Sequence, residues 1–212
     1  MLIGIPIMVA CYLLGGIPFG VMIGKLFKGI DIRDFGSGNI GFTNVYRTLG
    51  AGPALLVFIT DTAKGLVAVL LCRAFGLSDY WIVSGALLSV IGHCFSVFLG
   101  FKGGKGVATS LGVIIGLNWV IAAVALGIWV VLVALTRYIS VASIVATVSV
   151  PAQMVLWKSM NVPVAYRTLA CVAAAAILLR HVSNIKRLVN GTEPRFGQKV
   201  AVPDEGGEVK GE

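Results

Sequence analysis

Charge is what this sequence has least of. Only 12% of its 212 residues are Asp, Glu, Lys or Arg, and just 9 of them are acids. A soluble domain carries about a quarter charged residues, so this chain cannot cover a water-facing surface. It is not a disordered chain either, because 58% of it is hydrophobic and the mean hydropathy is +0.95. Cysteine is sparse: Cys11, Cys72, Cys94 and Cys171 are scattered without a C-x-x-C, which signals neither a disulfide framework nor a cysteine zinc site. The two histidines, His93 and His181, stand far apart with no acid cluster beside them, so no metal site is visible. No internal repeat and no second domain is evident. The formal net charge of +8, with a pI of about 9.6, has to be read first against a membrane.

What is abundant is apolar sequence in long runs. A transmembrane helix needs about 20 apolar residues. Residues 1–24 carry no charge, no basic n-region and no A-x-A cleavage site, and read as a retained helix rather than a signal peptide. Residues 50–72 are apolar apart from Asp61 and Lys64; residues 80–101, 106–136 and 138–157 are uncharged; residues 162–179 are interrupted only by Arg167. The run 106–136 would make a helix about 45 Å long, against a hydrocarbon core of about 30 Å. One steeply tilted helix fits it, as do two helices turning near Gly116-Leu117-Asn118-Trp119.

The positive-inside rule arbitrates. With two crossings, seven helices result. Loops 25–49, 102–105 and 136–140 and the tail 180–212 then share one side, with Lys25, Lys28, Arg33, Arg47, Lys102, Lys105, Arg137, Arg180, Lys186, Arg187, Arg195, Lys199 and Lys210. The other side keeps Arg73, Lys158 and Arg167. The sequence therefore predicts an all-α integral membrane protein of seven transmembrane helices, one or more of them short or partly re-entrant. Its N-terminus lies outside and its C-terminus in the cytoplasm. Residues 1–197 form one membrane domain, and 198–212 read as a polar, disordered tail.

Four segments on the basic side are chemically unusual. In FGSGNIGFTNVYRTLG (35–50), Gly38 and its neighbours let the chain approach a ligand closely. Ser37, Asn39, Thr43 and Asn44 supply polar groups, and Arg47 supplies a fork-shaped charge suited to phosphate. The plainer reading is a Gly-rich turn with a helix cap. In FKGGKGVATSLG (101–112), Lys102 and Lys105 flank Gly103-Gly104 ahead of a helix, so backbone N–H groups and the helix dipole would cradle a phosphate. It is not a Walker A loop, and a basic interfacial turn explains the lysines but not the glycines. In TRYISVAS (136–143), Ser140 and Ser143 begin a helix, where serines commonly cap or bond between helices. In RHVSNIKRLVNGTEPR (180–195), Arg180, His181, Asn184 and Arg187 recur at helical spacing. There Glu193 is read as a partner for a nearby arginine.

Two features lie within the apolar runs. Asp61 and Lys64 are three apart on one helix and can neutralise each other. His93 is read as hydrogen-bonded to a neighbouring helix rather than catalytic. No G-x-S-x-G elbow, no Ser-His-acid triad and no aspartate series of a CDP-alcohol phosphotransferase is present. The residues point to a membrane protein that handles phosphorylated molecules at the cytoplasmic interface. A transporter of a phosphorylated solute is the rival. Nucleic acid is excluded as a partner, since topology accounts for the charge and no aromatic platform accompanies it.

GGIPFG (15–20), SGNIGFTNVYRTLG (37–50), DTAKG (61–65), GHCFSVFLGFKGGKGVATSLG (92–112), YISVAS (138–143) and RHVSNIKRLVNGTEPRFG (180–197) occur together in this order. In these motifs the chain resembles the acyl-phosphate:glycerol-3-phosphate acyltransferases of bacterial membranes, over roughly residues 5–197. The resemblance implies a seven-helix fold in the bacterial inner membrane. It implies transfer of an acyl group from an acyl phosphate to the 1-hydroxyl of sn-glycerol 3-phosphate, giving lysophosphatidic acid and phosphate. No cofactor is expected, and a soluble enzyme that forms acyl phosphate is an implied pathway partner. Catalytic roles fall on Ser37, Arg47, Lys105, Ser143, His181 and Asn184. Substrate binding falls on Gly38, Asn39, Thr43, Asn44, Lys64, Lys102, Gly103 and Gly104, and structural roles on Asp61 and Glu193. The chain departs from the usual pattern at Gly16, Phe42 and Tyr46, and Phe42 stands where relatives usually have Ala.

Overall fold

The computed structural model describes residues 3–200, so 201–212 of the tail expected to be disordered lie outside the described residues. Ten α-helices follow one another: α1 Gly4–Gly16, α2 Phe19–Lys28, α3 Phe42–Leu49, α4 Ala51–Ala74, α5 Asp79–Cys94, α6 Val107–Leu117, α7 Trp119–Thr136, α8 Ile139–Leu156, α9 Val164–Arg180 and α10 Val182–Val189. Among the described residues, five segments are long and apolar enough to cross a membrane: Gly4–Lys28, Ala51–Ala74, Asp79–Leu99, Trp119–Thr136 and Ile139–Leu156. Counting α9 with α10, bent by 55° against each other, as one span makes six. The apolar helix α6 is shorter, at 11 residues.

Local chemistry sets the breaks. The run 106–136 is interrupted at Asn118, whose side chain accepts from the N–H groups of Val120 and Ile121 and so caps α7. The first run, read as one helix, is also broken. Pro18 lacks an N–H and forces Ile17 to an extended ψ of 121°. The carbonyl freed at Ile17 accepts from Lys64 Nζ at 3.0 Å, and that of Gly16 from Ser96 Oγ at 2.5 Å. A helix break at membrane depth is tolerated where neighbours satisfy it in this way.

Glycines join the two tightest helix pairs. In α4 against α6, a Cβ on Gly65 would stand 1.9 Å from Thr109 O, and one on Gly112 1.8 Å from Thr62 O. In α1 against α5, Gly15 meets Ser89 O and Gly92 meets Tyr12 O at 2.0 and 2.1 Å by the same measure. Lipid gives helices little hydrophobic reason to associate, so small residues that let backbones touch drive the pairing. The outside stays apolar, as at Leu135 and Leu179, which are 76% and 74% exposed.

Loops gather at two ends. At one end Arg180 bonds Gly103 and Gly104, Arg47 bonds Pro194, and the Phe196 amide donates to Arg137 O. At the other, Tyr166 bonds Asp79 and Asn118 bonds Met160.

Candidate active site

The first end opens into a polar cleft of about 820 Å³. The loop before α3 forms one wall. Gly38, at φ 68°, turns that loop in the left-handed region. Asn44 holds it closed: its Oδ1 accepts from Ser37 N–H at 2.9 Å, and its Nδ2 donates to Ile32 O and Phe35 O. Ser37, Asn39, Thr43, Asn44 and Arg47 all line the cleft. Arg47 is 8% exposed and donates to Pro194 O at 3.2 Å. Burial lowers its pKa from the usual arginine value, while Glu193 acts to raise it.

The opposite wall comes from the start of α6, the end of α9 and α10. Gly106, at φ 84°, turns the loop into α6, and Lys105 before it donates to Asn184 Oδ1. Burial lowers the Lys105 pKa to about 8, against the raising effect of Glu193. Asn184 Nδ2 donates to Glu193 Oε1 at 2.8 Å, and Arg187 Nε to Glu193 Oε2 at 2.7 Å. Burial pushes the Glu193 carboxyl up, but the bonds from Asn184 and Arg187 outweigh it and hold it below its ordinary value. His181, in the bend between α9 and α10, has Nδ1 2.8 Å from Ile177 O. That bond leaves Nε2 as the ring nitrogen for the cleft.

The structure thus brings Ser37, Arg47, Lys105, Ser143, His181 and Asn184 to one cleft. It turns others elsewhere. Lys64 lies within the helix layer, bonded to Ile17 O and 2.8 Å from Asp61 Oδ1. Lys102, Gly103 and Gly38 line a separate outer pocket with Arg33 and Arg180. The amides of Gly103 and Gly104 donate to Cys94 O and His93 O, both at 3.0 Å, and are not free to cradle an anion.

Among the cleft-lining residues that the sequence does not mark as part of a site are Phe58, His93 and Trp129. Trp129 donates its indole N–H to Ser143 Oγ at 3.1 Å. Phe42 packs edge-on against Phe58 and Trp129, with centroids 6.0 and 6.4 Å away. Beyond these rings runs an apolar groove of about 670 Å³ lined by Leu111, Ile114, Ala122, Ala125, Val150 and Ala170 among others. Phe58, Val107, Ala108 and Trp129 are walls of both the groove and the cleft. An aliphatic chain in the groove would therefore meet the cations at these four residues.

Residues 5–191 match the family model described as glycerol-3-phosphate acyltransferase. A glycerol-3-phosphate acyltransferase of Synechococcus sp. (strain JA-3-3Ab) is 47% identical over 190 residues, covering 90% of this chain and 92% of its own. One from Gloeobacter violaceus is 43% identical over 196 residues, covering 91% and 94%. The crystal structure of PlsY (YgiH), an integral membrane glycerol 3-phosphate acyltransferase, in its glycerol 3-phosphate form superposes with a TM-score of 0.84 at 42% identity, covering 92% of this chain and 96% of that one. Its lysophosphatidic acid form gives 0.82 at 41%, with the same coverage. With this sequence, this fold and this cleft, the chain belongs to the glycerol-3-phosphate acyltransferase family and is an acyltransferase.

Proposed function

We propose that the protein transfers the acyl group of an acyl phosphate to the 1-hydroxyl of sn-glycerol 3-phosphate in phospholipid synthesis. The products are 1-acylglycerol 3-phosphate and inorganic phosphate. One observation carries the reading: the cationic cleft and the apolar groove share Phe58, Val107, Ala108 and Trp129. An acyl phosphate is an anionic head and an apolar tail joined at a carbonyl, and it matches the two cavities part for part. The carbonyl then lies at the shared wall.

Two phosphates must meet in the cleft, and their repulsion has to be offset by cations. Arg47, Lys105 and Arg187 are placed for that. Ser37, Ser143, Asn39 and Thr43 offer hydroxyl and amide groups to phosphate and carbonyl oxygens. An acyl phosphate is a mixed anhydride with a good leaving group, so no acyl-enzyme is required. The acceptor hydroxyl oxygen bonds to the carbonyl carbon, and the bond to the phosphate oxygen breaks, phosphate leaving with the electron pair. The hydroxyl proton goes to an oxygen of the departing phosphate, or to His181 Nε2. Positioning and electrostatics supply the catalysis.

The same reading places the cleft at the cytoplasmic face of the bacterial inner membrane. The chain then crosses seven times, N-terminus outside, with α6 a shallow pass. A soluble enzyme that makes acyl phosphate supplies the donor. The test offers purified protein palmitoyl phosphate or palmitoyl-CoA together with glycerol 3-phosphate. Phosphate release coupled to lysophosphatidate formation, and no product from the CoA ester, is expected. Product from the CoA ester alone overturns the donor assignment.

A further inference from the structure

The Gly103-Gly104 peptides are spent on their surroundings. Their amides donate to Cys94 O and His93 O at 3.0 Å, and Arg180 donates to both of their carbonyls at 3.0 and 2.9 Å. These two peptides therefore have no N–H left to offer a ligand. One side chain here has no part in the scheme above: His93, which is 4% exposed and lines the cleft.

Its ring is held from behind. His93 Nδ1 is 3.1 Å from Lys64 Nζ, which also lies 2.8 Å from Asp61 Oδ1 and donates to Ile17 O. The ammonium of such a pair has donors and no lone pair. Nδ1 therefore accepts, and the ring proton is on Nε2. Nε2 faces Gly104, where a Cβ would stand 2.1 Å away. The Gly104 backbone packs close to this edge of the ring, and a side chain at 104 would collide with Nε2 and cover it. Asp61, 3.6 Å from Nδ1, is one turn along α4 from Phe58, a wall shared by groove and cleft. His93 thus stands beside the place assigned to the acyl carbonyl.

We propose that His93 is a further catalytic residue whose Nε2–H donates to the acyl carbonyl oxygen as negative charge gathers there. Asp61 and Lys64 are positioning residues that fix its tautomer and aim its ring. The inference rests on the acyl-phosphate reading above. As the acceptor oxygen bonds to the carbonyl carbon, the carbonyl π pair moves onto its oxygen and is held by the Nε2–H. The pair returns as phosphate leaves, and His93 neither gains nor loses a proton. Lys64 also offsets the charge of Asp61, which would otherwise oppose a developing anion.

The test measures kcat and KM for wild type, His93→Gln, His93→Phe and Lys64→Met with palmitoyl phosphate and glycerol 3-phosphate. Removing a donor to a developing oxyanion costs roughly 10²–10³ in kcat. His93→Phe is expected to lose about that much, with KM for glycerol 3-phosphate changed less than about threefold. Glutamine places an N–H near the Nε2 position, so His93→Gln should keep at least about ten times the kcat of His93→Phe. Nitrogen-15 NMR of histidine-labelled protein should show His93 as the Nε2–H tautomer in wild type, and a mixture in Lys64→Met. Equal kcat for Gln and Phe, a change confined to KM, or an Nδ1–H tautomer in wild type overturns the proposal. Should His93→Phe not fold, His93→Asn replaces it, because its amide reaches only the Nδ1 position; the Gln variant must then be the faster, and equality overturns the proposal. Wild-type turnover tests the donor by itself, so a failure of that reading is seen before any variant is compared.

Discussion

Arg187 Nε stands 2.7 Å from Glu193 Oε2, and this ion pair folds the segment after α10 back over its own helix. The other carboxylate oxygen takes Asn184 Nδ2, and Asn184 Oδ1 takes Lys105. One buried acid therefore orders two polar groups of the cleft. Glu193→Ala leaves Asn184 short of a partner, at a cost of about 1–3 kcal/mol, with a fall in both melting temperature and kcat. Glu193→Gln keeps an acceptor for Asn184 and should lose less of each. The carboxyl is held below its ordinary value, so its stabilisation is complete above the ordinary carboxylate range and fades as pH falls through it. Thermal melts against pH should show that acid limb in wild type and a weaker one in Glu193→Gln.

Lys105 gives the opposite limb. Burial puts its pKa at about 8, and it serves as a phosphate ligand only while protonated. In the free enzyme kcat/KM for glycerol 3-phosphate should hold below that pH and fall as pH rises through it. Arginine stays charged throughout this range. The Lys105→Arg variant should be slower, because its fork cannot reproduce the bond to Asn184, but its alkaline limb should vanish. A limb that persists near pH 8 in Lys105→Arg would assign it to another group.

How much of this was legible beforehand depended on whether a signal was local. The helix break at Asn118 is written in a Gly-Leu-Asn stretch within an uncharged run, and its cap is made by the side chain two residues ahead of Val120. The break at Pro18 is less legible, because its compensation comes from Lys64, 47 positions from Ile17. The same contact explains why Lys64 looked like a substrate ligand: a lysine in an apolar helix declares a need for partners but not which ones. The Gly103-Gly104 loop looked free to bind an anion, since nothing local reveals that its amides are taken by the end of α5. Trp129 sits in an unbroken apolar run, and only the fold turns its N–H toward Ser143. Arg47 and Lys105 stand out as charges set among glycines beside an apolar run, and His181 by its helical spacing with Arg180, Asn184 and Arg187.

Phe42 should set what passes between groove and cleft. Its ring packs on Phe58 and Trp129, two of the residues shared by both cavities. Phe42→Ala removes that support and widens the neck. A half-buried ring lost here costs less than the roughly 3–5 kcal/mol of a core Phe→Ala change. The selectivity should move further: kcat/KM for a 2-methyl-branched acyl phosphate, relative to the straight chain, should rise by about tenfold, as removal of a steric wall worth about 1.4 kcal/mol would give. An unchanged ratio would place the acyl carbonyl away from this neck.

The α4–α6 seam offers a prediction about assembly. Gly65 and Gly112 let the two backbones touch, and a Cβ on either would run into Thr109 O or Thr62 O at under 2 Å. These obstacles are backbone carbonyls, which cannot swing aside, so each alanine has to push the helices apart. Overpacking of this kind costs about 1–3 kcal/mol. Gly127, on α7, has nothing within 4 Å of its Cβ position, and there alanine should stabilise by up to about 1 kcal/mol through helix propensity. Because α4 carries Asp61 and α6 follows directly on Lys105, the seam variants should lose activity along with melting temperature, while Gly127→Ala keeps both. Once one substitution has opened the seam, the second meets less resistance. The Gly65→Ala/Gly112→Ala double variant should therefore lose less stability than the two single losses added together, and full additivity in thermal melts would mean that the two contacts yield separately.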